Sequence, residues 1–250
     1  MQTARAHLES LLKARKLDVT LTSAAPLGAP PVAVPAAGAP SQRHDAARAD
    51  DLAVTGVPSL DAALGGGLPR GHLSEIVGGR SSGRTSVVCH ALAAAAARDE
   101  LVTLVDTCDR FDPASAAAVG LDLSRLLWIR EVGDATRALK AMNLVLQAGG
   151  FGLVVLDLSD VAIRTVRALP FTTWFRLARV IEGSPTVALL LAAEHVARSS
   201  GGATIAMDPA RPDTPAARAG LTRARWTGRS DRARLLQGLA TDPQVVGTRR

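Results

Sequence analysis

A chain of 250 residues that is 47% apolar is long enough to bury one substantial core with extensions, which excludes a disordered or fibrous protein. No run approaches the roughly eighteen apolar residues of a membrane span. Arg5, Glu9, Lys13, Arg15 and Lys16 break up the amino-terminal stretch, against a secretory signal, so the cytoplasm is the expected address. Cys89 and Cys108 lack metal-ligand spacing and read as reduced thiols. The net charge of +6 sits in residues 211–250, where nine arginines face three aspartates.

Residues 4–16, ARAHLESLLKARK, place Ala4, Leu8, Leu11 and Leu12 at helical spacing with charges opposite, so an amphipathic helix is expected within residues 1–22. Residues 23–51 shift to Ala, Pro and Gly, and Pro26, Pro30, Pro31, Pro35 and Pro40 make this an extended linker. A helix tethered in this way must bury its apolar stripe on a second protein chain or on its own core, and the sequence leaves both readings open.

From residue 52 to 208 continuous apolar runs alternate with helix-like stretches. Strands are expected at 73–77, 101–106, 125–130, 151–157, 186–193 and 203–207, and helices at 84–98, 113–119, 134–148 and 172–182. This alternation predicts an α/β fold with a mostly parallel central sheet flanked by helices, and a site at the carboxyl ends of the strands. Trp128 reads as core, and Trp174 with Phe171 and Phe175 as helix packing. Residues 209–250 read as an arginine-rich tail, either a solvated end or a contact for nucleic acid phosphates or an acidic protein. Trp226 in that tail is suited to stack on a base or fill a partner pocket.

Gly78-Gly79-Arg80-Ser81-Ser82-Gly83-Arg84-Thr85 fits the phosphate-loop pattern G-x-x-x-x-G-K-[ST] with one mismatch, Arg84 for lysine. A strand precedes the loop and a helix follows it. Gly78 and Gly83 let backbone amides approach a phosphate at the positive end of that helix. Thr85 is placed to put its hydroxyl on a magnesium ion, and Asp157, ending the buried run LVVLD, is placed to reach the same ion through water.

Residues 55–86, TGVPSLDAALGGGLPRGHLSEIVGGRSSGRTS, resemble the RecA recombinase family from its SLD-x-x-LG-x-GGLP-x-G signature into its P-loop. The likeness continues through LVTLVDTCDRFDPASAAAVGLDLSRLLW and VVLD, to about residue 207. It implies a RecA-like P-loop core with nucleotide contacts at Gly78, Ser81, Ser82, Gly83, Arg84, Thr85, Ser86, Asp112 and Asp157, the magnesium ligands being Thr85 and Asp157. Asp112 falls on the family's aspartate near the adenine, and Ser115 on the tyrosine that stacks on it.

The departures are as informative as the match. The glutamate that activates water in RecA falls on Cys108, and a thiol lacks a carboxylate's two acceptor oxygens. Asp109 is a candidate rescue, although one step along a strand turns a side chain to the other face. Arg84 brings a wide planar fork to a pocket shaped for an ammonium. The glutamine that senses the γ-phosphate falls near Glu194 or His195. The DNA loop beyond it shrinks to VARSSGG, and Arg164 and Arg167 in the region of the other DNA loop read as a solvated helix face. Hydrolysis near background is therefore expected, with no cofactor required and ATP–magnesium binding left open.

A RecA-like core with altered catalytic positions, an amino-terminal LESLLKARK helix and an arginine-rich tail resemble the ImuA family. That resemblance implies a non-catalytic adaptor of an SOS-induced translesion synthesis mutasome. Its partner would be ImuB, a Y-family polymerase homologue, with RecA and, through the basic tail, DNA as further candidates and no membrane contact. Leu8, Leu11, Leu12, Arg223, Arg225, Trp226 and Arg229 are the expected partner-binding residues. The competing reading is an active RecA-type DNA-dependent ATPase or recombinase.

Overall fold

The computed structural model describes residues 21–22, 51–197, 201–207, 224–227, 235–239 and 244–248. The stretch 4–16, with Leu8, Leu11 and Leu12, lies outside the described residues, as do residues 23–50, where a linker is expected, and Arg223 and Arg229.

Strands β1 (Leu21–Thr22) and β2 (Leu52–Ala53) are followed by helix α1 (Pro58–Leu64) and strand β3 (Leu68–Pro69). The SLD and GGLP residues have local reasons here. Asp61 Oδ1 accepts from both the amide and the hydroxyl of Thr55, each at 2.7 Å, which fastens the entry of α1. Gly67 lies at φ +145°, and a Cβ there would meet the Ala53 carbonyl oxygen at 2.3 Å, so β2 and β3 can pair only around a residue without a side chain.

The core then runs β4 (Leu73–Gly78), α2 (Arg84–Ala97), β5 (Leu101–Asp106), α3 (Pro113–Ala118), β6 (Leu126–Arg130), α4 (Ala135–Ala148), β7 (Phe151–Asp157), α5 (Ile163–Arg167), α6 (Thr172–Ile181), β8 (Val187–Ala192) and β9 (Gly201–Met207). The expected core strands and helices are present, with ends moved by a residue or two. Helices α1 and α5 are additions, of seven and five residues, shorter than the window of roughly eleven or more residues in which helical spacing is legible.

Within 209–250 the described segments are strands: β10 (Ala224–Thr227) pairs with β11 (Leu235–Leu239), and β12 (Gln244–Thr248) pairs antiparallel with β9. Arginine content says nothing about ladder pairing, so these strands are not legible in the composition of the segment. Val245 is half-buried against the core. Arg225 and Trp226 belong to β10.

The eight-stranded sheet has the order β1-β6-β5-β7-β8-β4-β9-β12, parallel from β6 to β9 and antiparallel at both edges. Side chains alternate between its faces. Val154 and Leu156 pack with Leu139, Met142 and Val145 of α4 and with Trp174, Leu177 and Ile181 of α6. Leu153 and Val155 pack on the other face with Leu60 of α1 and Val88, Leu92 and Ala95 of α2. Covering both faces is what makes the strands continuously apolar. Leu156, Leu189 and Leu190 are wholly buried, each stabilising the stack by about 2 kcal/mol.

Trp128 and Trp174 are buried as read, but Phe171 and Phe175 are half-exposed and stack edge to face on each other at 4.9 Å. They are one helical turn apart on a strip beside the face that carries Trp174 and Leu177, so the inward packing expected of them is corrected. Among the described residues no helix is long and apolar enough to cross a membrane.

Sheet order positions the site. β8 lies between β4 and β7, with Val77 level with Ala192 and Asp157 level with Leu191. The glycine loop after β4 and the acid ending β7 therefore flank the end of β8. Asp106, ending β5, is the cross-strand neighbour of Asp157.

Candidate phosphate-binding site

β4 ends in Gly78, where a Cβ would meet the Met207 carbonyl oxygen at 2.4 Å and the Ser82 hydroxyl at 2.8 Å. Close approach of β9 on one side and of the returning loop on the other thus excludes any side chain. Ser81 turns through φ +59° and Gly83 through φ +91°, after which α2 begins at Arg84. A cavity of about 360 Å³ opens against this loop, lined by Arg80, Ser81, Arg84, Thr85, Arg110, Ser159 and Asp160.

Of the residues expected to hold nucleotide, Ser81, Arg84 and Thr85 line the cavity. Ser82 is buried in the loop, and Ser86 is exposed on the first turn of α2. Arg84 is buried, and its Nη1 donates to the Ala192 carbonyl oxygen at 2.6 Å. Burial pulls its pKa down against the opposing charges of Asp157 and Asp160, yet a guanidinium stays protonated at any physiological pH. The replacement of lysine therefore preserves the charge and adds a tie from α2 to β8.

The acids at this end are engaged. Burial pushes the Asp157 carboxyl up, and neighbouring Asp106 adds to this, while the Ser159 hydroxyl and amide and the charge of Arg84 oppose it. The Ser159 amide donates to Asp157 Oδ1 at 2.8 Å, and its hydroxyl donates to the same oxygen. Asp106 accepts from the amides of Arg110 at 2.9 Å and Phe111 at 2.8 Å and, more weakly, from Trp128 Nε1 at 3.4 Å. Asp109, at φ +55°, grips Arg130 through two hydrogen bonds of 2.7 and 2.6 Å. That pairing holds its carboxyl below the usual range and commits it to β6, so the rescue role considered for Asp109 is not supported by its placement. Arg130 in turn lies 4.8 Å over the Trp128 ring.

Cys108 is half-buried just past the end of β5. Its thiol is pushed up by burial first and then by Asp160, Asp157 and Asp106, with Arg110 opposing. It is a protonated thiol among carboxylates. Cys89, on the inner face of α2, is pushed up to about 11 by burial and by Asp112. A thiolate is scarce at both positions near neutral pH.

Asp112 caps α3. It accepts from the amides of Ala114 at 3.2 Å and Ser115 at 3.1 Å and from the Ser115 hydroxyl, so the two positions expected around an adenine are bonded to each other at a helix start. Glu194 pairs on the surface with Arg167. His195 pairs with Glu75, a carboxylate buried within β4 that also accepts from the amides of Val196 at 2.7 Å and Ala197 at 3.2 Å. Neither candidate for the γ-phosphate sensor lines the cavity.

Arg80, Arg110, Ser159 and Asp160 are the cavity residues that sequence reasoning did not single out. Arg80 occupies a variable position of the loop pattern. Arg110 and Asp160 follow the ends of β5 and β7 by a few residues, and charged residues just beyond parallel strand ends are the signal that would have found them.

Comparison with known proteins bears on the same region. The sequence matches the RecA N-terminal domain family over residues 42–168. Protein RecA of Chlorobaculum tepidum is 38% identical over 104 residues, 41% of this chain and 30% of the relative. Protein RecA of Synechococcus elongatus is 36% identical over 121 residues, 48% of this chain and 34% of the relative. The match thus spans about a third of those relatives' length. The crystal structure of the RadB recombinase aligns with a TM-score of 0.50 at 17% identity, covering 62% of this chain and 82% of that one, a likeness of fold.

Proposed function

The chain belongs to the RecA N-terminal domain family, and from that premise we propose that it is a non-hydrolysing RecA-like adaptor of an SOS-induced translesion synthesis assembly. Its principal partner is the Y-family polymerase homologue ImuB, and RecA is the second. The observation that carries the reading is Cys108. The position that the RecA resemblance assigns to the water-activating glutamate holds a thiol, and three neighbouring carboxylates already have partners: Asp106 in the loop amides, Asp109 in Arg130 and Asp157 in Ser159. Polarising an attacking water needs an acceptor within hydrogen-bond reach. A core that keeps the phosphate loop without that acceptor is suited to occupying a place in an assembly and unsuited to turning nucleotide over.

Magnesium-dependent ATP hydrolysis, measured with and without single-stranded DNA, stays near background on this reading. Turnover like that of an active recombinase would replace it with the ATPase alternative. The adaptor role is tested by interferometry against ImuB and RecA, using full-length chain and chains lacking residues 4–16 or 211–243, the second keeping β12 paired with β9. Each deletion is expected to weaken capture, and undiminished binding by both would remove the basis for the partner assignment.

A further inference from the structure

Three arginines from different segments open onto the cavity: Arg80 in the glycine loop, Arg84 at the head of α2, and Arg110 in the loop after β5. The acidic side chain lining it is Asp160, from the loop after β7. One Asp160 oxygen lies 3.2 Å from Arg80 Nη2, and the other lies 3.6 Å from Arg110 Nε. The carboxylate thus bridges two guanidinium groups across the cavity. Both arginine side chains are largely exposed, at 84% and 69%, while Asp160 is 29% exposed.

Exposed pairs of this kind contribute little and are readily exchanged. Guanidinium forks bind phosphate oxygens bidentately, and a phosphate chain carries more charge than one carboxylate. At about 360 Å³ the cavity is much larger than a carboxylate needs and falls in the range of small-ligand pockets.

We propose that Asp160 is a built-in counter-anion of this site, holding Arg80 and Arg110 until a polyphosphate chain of the nucleoside di- or triphosphate class displaces it, and that Arg110 is a phosphate-gripping residue. The loop that carries Cys108 then contributes a cation to hold phosphate in place of an acid to hydrolyse it. This deepens the proposed function and rests on its reading of a phosphate loop kept without turnover.

The test titrates the full chain with inorganic tripolyphosphate and with ATP by calorimetry, with and without magnesium. Asp160→Asn is expected to tighten tripolyphosphate binding about two- to fivefold, the scale of an exposed ion pair. Arg110→Ala is expected to weaken it about tenfold, and the gain from Asp160→Asn shrinks when combined with it. Asp160→Ser serves the same purpose should the asparagine variant not fold. ATP binding tighter than tripolyphosphate marks a base contact and equal affinity marks the phosphate chain alone; either supports the proposal once Asp160→Asn tightens binding. Equal or weaker binding by the Asp160 variants, or no polyphosphate binding by any chain, overturns it. Failure there leaves the non-hydrolysing reading intact, whereas ATP turnover above background sinks that reading and leaves the affinity ratio of the Asp160 variants to be judged separately.

Discussion

Arg84 donates from Nη1 to the carbonyl oxygen of Ala192 at 2.6 Å, tying the first residue of α2 to the last residue of β8. The departure from lysine is thereby built into the packing of the loop.

Removing the guanidinium leaves the Ala192 carbonyl without this donor in a buried setting. Arg84→Ala is expected to destabilise the fold by about 2 kcal/mol, the scale of a lost charge-assisted bond. Arg84→Lys should cost less, since it keeps the charge but loses the fork. Urea unfolding followed by tryptophan fluorescence measures both. The lysine variant should also leave ATP hydrolysis at background, because Cys108 is unchanged; a rise in turnover would show that Arg84 alone limits the chemistry.

Asp106 holds the loop after β5 by accepting from Arg110 and Phe111 amides, and it reaches Trp128 as well. Asp106→Ala strips acceptors from these amides, and a loss of about 3 kcal/mol is expected. The indole loses its polar partner at the same time, so the fluorescence maximum of the folded variant should shift as well. Asp106→Asn retains one acceptor oxygen and should lie between the two. An alanine variant as stable as the parent chain would show that the loop is anchored elsewhere.

Asp157 has a carboxyl pKa raised chiefly by burial. Below the ordinary carboxylate range it is protonated in folded and unfolded chains alike and costs nothing. As pH rises from that range through the raised folded value, the unfolded chain ionises first and the folded state loses stability. Asp157→Asn removes this effect. The variant should melt higher than the parent near neutral pH, with the gap closing as pH falls below the ordinary carboxylate range. Melting curves across that interval measure it, and a gap that does not change with pH would assign the effect to something other than ionisation.

Much of the fold was legible because its signals are local. LVTLVD and FGLVVLD are apolar at successive positions, as a strand buried on both faces must be, and the interleaved stretches carry helical spacing. The glycine loop was legible for a related reason: Gly78 stands where β9 and the returning loop exclude a Cβ. The positions of Phe171 and Phe175 were less so, since hydrophobicity alone does not say which strip of a helix meets the sheet. The strands within 209–250 were hidden by a composition that reports charge.

The residues alone settled the layered α/β character, the glycine loop between β4 and α2 and the thiol at Cys108, because apolar period and side-chain chemistry are properties of short segments. Only the folded sheet decided which charges meet. By setting β8 between β4 and β7 and β5 on the other side of β7, its strand order carries the loops bearing Arg80, Arg110 and Asp160 to one cavity and lays Asp106 beside Asp157. Such pairings join segments far apart in the chain, and Coulomb forces act on distance in space, which no local pattern records.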